Sequence, residues 1–187
     1  MDLRSGLLRG KKVRLTAVTK GDLPTMMVWW SDTDFLRLYD SVPAWPQSVE
    51  QLEKRLDDEE QGRTNFTMGI RPLHKEKLLG LIELDGIMWT HGTSSVSIAI
   101  GDAGERGRGH GTEAMGLMLD FAFRELNLHR VFLSVFSYNT AAVALYEKLG
   151  FTREGAHREH LRRDGQRYDM LLYGILRREW EQRSGEK

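Results

Sequence analysis

Apolar and polar residues alternate along this chain in short runs, and between those runs apolar residues recur at helical spacing. Residues 12–18 alternate as a half-buried strand does. Thr19, with Asp22 three positions later, has the form of a capping box opening a helix whose stripe is Leu23, Met26, Met27 and Trp30. Pro43 and Pro46 interrupt the chain around Trp45. Ser48 with Gln51 starts a second helix, bearing Val49, Leu52 and Leu56, which runs out into acidic residues 57–60. Residues 65–70, 78–84 and 95–100 read as three strands. Met115, Met118, Leu119, Ala122 and Leu126 mark a helix, 129–136 a further strand, and Asn139 opens one more helix. Asp164-Gly165 is a hairpin turn between strands at 157–163 and 166–176, and residues 1–9 are a loose start. The predicted order is strand, two helices, three strands, helix, strand, helix, two strands.

One turn stands out. Arg106-Gly107-Arg108-Gly109-His110-Gly111 lies between a strand and a helix, followed at once by Thr112-Glu113-Ala114-Met115. Glycines let the backbone approach an anion, and the first helical turn offers unpaired N–H groups at the positive end of its dipole. A pyrophosphate is the expected guest. A P-loop needs Gly-Lys-Ser/Thr, whereas His110, Gly111 and Thr112 follow Gly109. Gly109, Gly111 and Ala114 match a dinucleotide fingerprint, which would make the chain a nicotinamide dehydrogenase. That motif wants a carboxylate at the end of the next strand. The strand here ends in Ser137, Tyr138 and Asn139, and too little chain follows for the rest of such a domain.

Arg106-x-x-Gly109-x-Gly111 resembles instead the Q/R-x-x-G-x-G/A acetyl-CoA motif of the GNAT superfamily of N-acetyltransferases. Downstream, Asn139, Ala142, Tyr146, Gly150 and Phe151 look like that superfamily's second cofactor motif, N-x-x-A-x-x-x-Y-x-x-x-G-F. The resemblance implies an α/β fold of the acyl-CoA N-acyltransferase type: about seven mostly antiparallel strands, about four flanking helices, and a splay between strands four and five. It places a single domain over residues 10–182 and makes acetyl-CoA the cofactor.

Moving an acetyl group from a thioester to an amine requires a held cofactor, a neutral amine, donors for an oxyanion and a proton for the departing thiolate. Amides of Gly107, Arg108, Gly109, His110, Gly111 and Thr112 would face the pyrophosphate. Arg106 and Arg108 either add charge there or are solvated surface arginines, and His110 lends its N–H rather than acting as a base. By resemblance, the pantetheine arm pairs with the backbone of Ile98, Ala99 and Ile100 like an extra strand, and an amide of that stretch faces the oxyanion. Asn139 caps its helix and, in the family, faces the cofactor arm. Ala142 and Tyr146 share a face of that helix. A phenol with a pKa of about 10 stays protonated at neutral pH, so Tyr146 is the proton donor, or else a tyrosine packed under its helix. Gly150 is a left-handed helix stop with Phe151 as its apolar partner.

The family often carries a glutamate near the start of the strand before the turn. Ser95 stands there and cannot be the base. Glu83 and Asp85 share one face of the preceding strand, turned either to the acceptor cleft or to solvent. Glu83 is the candidate base, beside a water relay or an amine that arrives neutral.

Resemblance also implies that the segment between the first two helices and the last hairpin wall the acceptor cleft. The first holds Trp29, Trp30, Asp32, Asp34, Phe35, Tyr39, Asp40 and Trp45, which suit a cationic amine or pack into the core. In the hairpin, Arg158, Arg162, Arg163 and Arg167 form a basic patch suited to an acidic acceptor or partner, or a plain polar face. The ending around residues 161–180 looks like the branch of ribosomal-protein N-terminal and spermidine acetyltransferases, so the acceptor is a protein N-terminus, a polyamine or a small amine.

Composition sharpens the exclusions. Lysine plus arginine equals aspartate plus glutamate at 27 each in 187 residues, so no global field draws nucleic acid. With no cysteine there is no disulfide, no thiolate zinc site and no cysteine to carry an acetyl-enzyme, which favours direct transfer in a ternary complex. No apolar run approaches the roughly 20 residues of a membrane span, and no signal-peptide pattern opens the chain, so the expected setting is the cytoplasm. An exposed strand edge near the end of the chain would allow a homodimer. The alternative from another class is a protein that binds acyl-CoA without turning it over.

Overall fold

The computed structural model describes residues 6–57 and 62–185. Its seven strands are β1 (Val13–Thr16), β2 (Phe66–Pro72), β3 (Gly80–Met88), β4 (Thr93–Ile100), β5 (Arg130–Phe136), β6 (Thr152–Arg163) and β7 (Gln166–Leu176). They form one sheet in the order β1-β2-β3-β4-β5-β7-β6. All neighbours are antiparallel except β4 and β5, which run parallel where the chain crosses over through a helix. This is the mixed architecture expected from the sequence.

Six helices are present among the described residues, where four were expected: α1 (Leu23–Trp30), α2 (Thr33–Tyr39), α3 (Val49–Leu56), α4 (His110–Asp120), α5 (Thr140–Leu149) and α6 (Arg177–Gly185). The two additions have local causes. Asp32 accepts the Asp34 amide at 2.9 Å, starting α2 so that it can bury Phe35 and Leu36. At the C-terminal end Glu179 accepts the Leu176 amide at 2.9 Å, and the Trp180 indole donates to Asp120 at 3.1 Å, which seats α6.

Two other expectations need correction. The start is not loose over its described part, because Leu15 donates to the Leu8 carbonyl at 2.8 Å and Leu7 and Leu8 pack against the core. The capping box of Thr19 and Asp22 is real, with Thr19 N–H on Asp22 at 2.9 Å, yet it closes a 3₁₀ turn at Lys20–Asp22 and α1 begins only at Leu23. Of the acidic stretch expected at the end of α3, residues 58–60 lie outside the described residues.

Alternation along the central strands divides the core into two layers. Ile82, Leu84 and Val96 point to the face covered by α4, where Ala114, Met115, Met118 and Leu119 are buried, and by α5 through Tyr146 and Leu149. Leu81 points the other way, into the layer of Met26, Trp29, Trp30, Phe35 and Leu52 from α1, α2 and α3. A buried ion pair ties that second layer to the sheet. Arg71 on β2 donates to both oxygens of Asp22 at 2.7 and 2.8 Å.

Candidate functional site

β4 and β5 pair only from Thr93 with Arg130 to Ser95 with Phe132. Beyond that point β4 continues against β3 and β5 against β7, so the two strands diverge and a wedge opens between them. Gly101 donates to the Leu79 carbonyl at 2.9 Å, and the Ala99 carbonyl lies hard against Gly80 on β3. By the two-residue alternation of a ladder, the amides of Ile98 and Ile100 are then turned to the open wedge. Sequence groups Ala99 with them, but its main chain faces β3.

The mouth of the wedge is the glycine turn. Gly107 and Gly109 take left-handed backbone conformations, φ 73° and 85°, which glycine adopts without a Cβ penalty. Gly109 is the N-cap of α4, so the amides of His110, Gly111 and Thr112 form the helix's unpaired first turn. A Cβ on Gly111 would come within 3.2 Å of Leu145 on α5 and 3.8 Å of Ile98 and Ile100, so this glycine keeps the slot between α4, α5 and β4 narrow. An acyl-CoA fits these residues: an anion cradle at the mouth and an unpaired strand edge behind it.

The charged side chains singled out by sequence are largely committed to protein partners. Arg106 donates to the carbonyls of Ile100 at 3.0 Å and Gly101 at 3.5 Å, fastening the turn to the end of β4. Arg108 pairs with Glu105 at 3.2 Å, and His110 Nε2 lies 3.3 Å from the same carboxylate. The cation that sequence missed is Lys12, whose ammonium donates to the Arg108 carbonyl at 3.0 Å. Beside it, Glu113 in the first turns of α4 accepts the backbone amides of Lys11, Lys12 and Val13 at 2.7–2.8 Å. Gly10 passes so close to that carboxylate that a Cβ would meet it at 2.5 Å.

Asn139 caps α5 by accepting the Ala142 amide at 3.2 Å. Tyr146 lies on the same helix, 5% exposed and edge-to-face with Phe151. Burial pushes its phenol up to about 12, so it is protonated throughout the physiological range. Among the described residues nothing hydrogen-bonds its hydroxyl. Glu83 occupies the opposite face of the sheet, across from Ser97 and accepting from Thr67 Oγ1 at 3.2 Å. Tyr146 and Glu83 thus flank the central strands from opposite sides. The Ser95 hydroxyl donates to the Asp85 carbonyl at 3.1 Å.

The wall on the Glu83 side is built by contacts that span the chain. Arg163, at the β6–β7 tip, donates from one nitrogen to the carbonyls of Asp40, Ser41 and Val42 at 3.0–3.3 Å. Asp164 pairs with Arg37 on α2, and the Tyr138 hydroxyl donates to the Arg37 carbonyl. Phe136, Tyr138 and Tyr168 pack ring to ring behind this joint. Of the basic patch, Arg163 and Arg167 are therefore occupied internally, the latter on the Glu159 carbonyl at 3.1 Å. Trp29, Trp30 and Phe35 are core, while Trp45 is half exposed. Arg55, not a ligand, lies over the rings of Trp30 and Tyr39 at 5.6 and 5.7 Å.

A wedge between parallel strands, with a glycine turn and an unpaired helix start at its mouth, suits an acyl-CoA. Residues 12–152 match the acetyltransferase (GNAT) domain family. The spermidine N(1)-acetyltransferase of Vibrio cholerae is 27% identical over 173 residues, covering 92% of this chain and 98% of that protein. A SPbeta prophage-derived uncharacterized N-acetyltransferase of Bacillus subtilis is 30% identical over 155 residues, 82% of this chain and 85% of that one. The crystal structure of the Vibrio cholerae enzyme with CoA and spermine superposes with a TM-score of 0.82 at 26% identity, covering 92% of this chain and 99% of that chain.

The chain belongs to the GNAT acetyltransferase family. It is an acetyl-CoA-dependent N-acetyltransferase acting on amines, and the dehydrogenase alternative falls. No helix among the described residues is long and apolar enough to cross a membrane.

Proposed function

We propose that the chain works as one domain over residues 10–182, passing the acetyl group directly from acetyl-CoA to a primary amine of a polyamine, a small amine or a peptide N-terminus. The observation that carries this reading is the divergence of β4 from β5 beyond Ser95 and Phe132, with the glycine turn at its mouth. Amides from Gly107 to Thr112 hold the pyrophosphate at the positive end of α4. The open amides of Ile98 and Ile100 pair with the pantetheine arm, Asn139 and Ala142 flank it, and the Ile98 N–H stabilises negative charge on the acetyl oxygen. Acetyl-CoA supplies an activated acyl group.

The amine reaches it from the Glu83 side, between α2 and the β6–β7 tip. Glu83 takes the amine's proton through water, and Tyr146 returns one to the thiolate from the other side. Support for a polyamine comes from the relatives that bear that name. Residence in the cytoplasm, and a homodimer formed along the open edge of β6, belong to the same proposal. A thiol-release assay tests it: spermidine or a peptide with a free N-terminus should raise CoA release well above the amine-free rate, and intact mass should show no acetyl adduct on the enzyme. Release independent of any amine, or a stable acetyl-enzyme, would contradict direct transfer.

A further inference from the structure

The cofactor's phosphates need positive charge, and the two arginines that the turn itself supplies have other partners. Arg106 is held on the carbonyls of Ile100 and Gly101, and Arg108 on Glu105. His110 shares that same carboxylate. One ammonium is delivered to the turn from a distant part of the chain. Lys12, beside the start of β1, donates to the Arg108 carbonyl at 3.0 Å, and its Nζ comes within 3.2 Å of where a Cβ on Gly109 would be. It has no carboxylate partner within 4 Å among the described residues.

We propose that Lys12 completes the phosphate cradle, donating one N–H to the Arg108 carbonyl and its remaining N–H groups to a phosphate oxygen seated on the first amides of α4. An ammonium has three donors and no acceptor, so one protein carbonyl leaves capacity for an anion. The lysine is aimed by its own backbone. Glu113 of α4 grips the amides of Lys11, Lys12 and Val13, so the helix that presents the phosphate site also fixes the segment that brings the cation to it. Glu113 brings a negative charge close to an anion site, but these three amides absorb it, and Lys12 adds the countercharge on the turn. This inference rests on the proposed placement of the pyrophosphate, and it adds a side-chain contact to a site otherwise made of main chain.

The test is titration calorimetry of acetyl-CoA into the wild type and the Lys12→Met and Lys12→Arg variants at two ionic strengths. Lys12→Met should weaken binding about tenfold at about 0.02 M salt and far less at about 0.5 M, where the Debye length has shrunk to about 4 Å. Lys12→Arg should keep affinity within about threefold of wild type, since a cation is restored. Turnover of S-acetylpantetheine, which lacks the phosphates, should be the same in Lys12→Met as in wild type. A Lys12→Met affinity within twofold of wild type overturns the proposal. So does a loss that is equal at both salts or that extends to S-acetylpantetheine, which would show a lysine that merely stiffens the turn. If wild type itself failed to bind acetyl-CoA, the pyrophosphate placement would fall first.

Discussion

The two sides of the wedge are made differently. On the side proposed for the cofactor the main-chain parts are local: two left-handed glycines, an unpaired helix start, an asparagine cap and an open strand edge, all within residues 96–151. On the side proposed for the amine the parts are remote: Arg163 grips residues 40–42, Asp164 meets Arg37, and Arg71 meets Asp22. Backbone conformations shape the first, with Arg106 and Glu113 fastening it, and long-range side-chain locks hold the second. Substitutions on each side should therefore fail in different ways.

The largest effect is expected at Gly109. An aspartate there strains the left-handed N-cap of α4 and sets a negative charge against the phosphate, so acetyl-CoA affinity should fall by about 100-fold or more. The acceptor wall should survive this change, and a melting temperature near wild type would show that it had. The converse test is Asp22→Asn. Burial opposes ionisation of Asp22, but hydrogen bonds from Arg71 and Thr19 outweigh it and hold the carboxyl below its ordinary value of 3.8. Breaking this pair should cost about 3 kcal/mol in a denaturant titration, leaving Arg71 buried and unpaired. Because the folded value is the lower one, the pair's contribution is complete above about pH 4 and is lost as pH falls through the depressed value.

A smaller effect is expected at Tyr146. Tyr146→Phe should cut kcat by about tenfold and leave the acetyl-CoA affinity unchanged. With its phenol raised to about 12, the wild-type enzyme should show no tyrosine-dependent falling limb in kcat below about pH 11. Full activity in the phenylalanine variant would remove Tyr146 from the chemistry. The smallest is Arg163→Ala, which frees the 40–42 loop from the hairpin. Acceptor KM should rise about fivefold, with kcat and acetyl-CoA affinity near wild type. An equal loss in acetyl-CoA affinity would mean that the two sides are not separable.

The same contrast explains what the sequence disclosed. The turn at 106–111, the Asn139 cap and the Asp164-Gly165 hairpin were legible because each conformation is dictated by residues next to one another. Sequence marks Arg106 at the turn but does not show that its guanidinium is committed to the Ile100 carbonyl at the end of β4. Lys12 was invisible as a site residue, since nothing local marks a lysine that will meet residue 108. Glu113 stood beside the motif in plain view, yet its three amide partners come from the far edge strand. α2 was missed because two prolines and an aromatic-rich stretch masked a short helix with an aspartate cap. The aromatic mixture near it reads either as a wall for a cationic amine or as core packing, and three of its members, Trp29, Trp30 and Phe35, are core.

Hydrogen–deuterium exchange with and without acetyl-CoA reads the main chain proposed to hold the cofactor. Protection is expected in peptides covering residues 96–100 and 107–112 and the start of α5, with the α1–α3 segment unchanged until an amine is added. Protection confined to α1–α3, or none in the glycine turn, would contradict this placement of the cofactor.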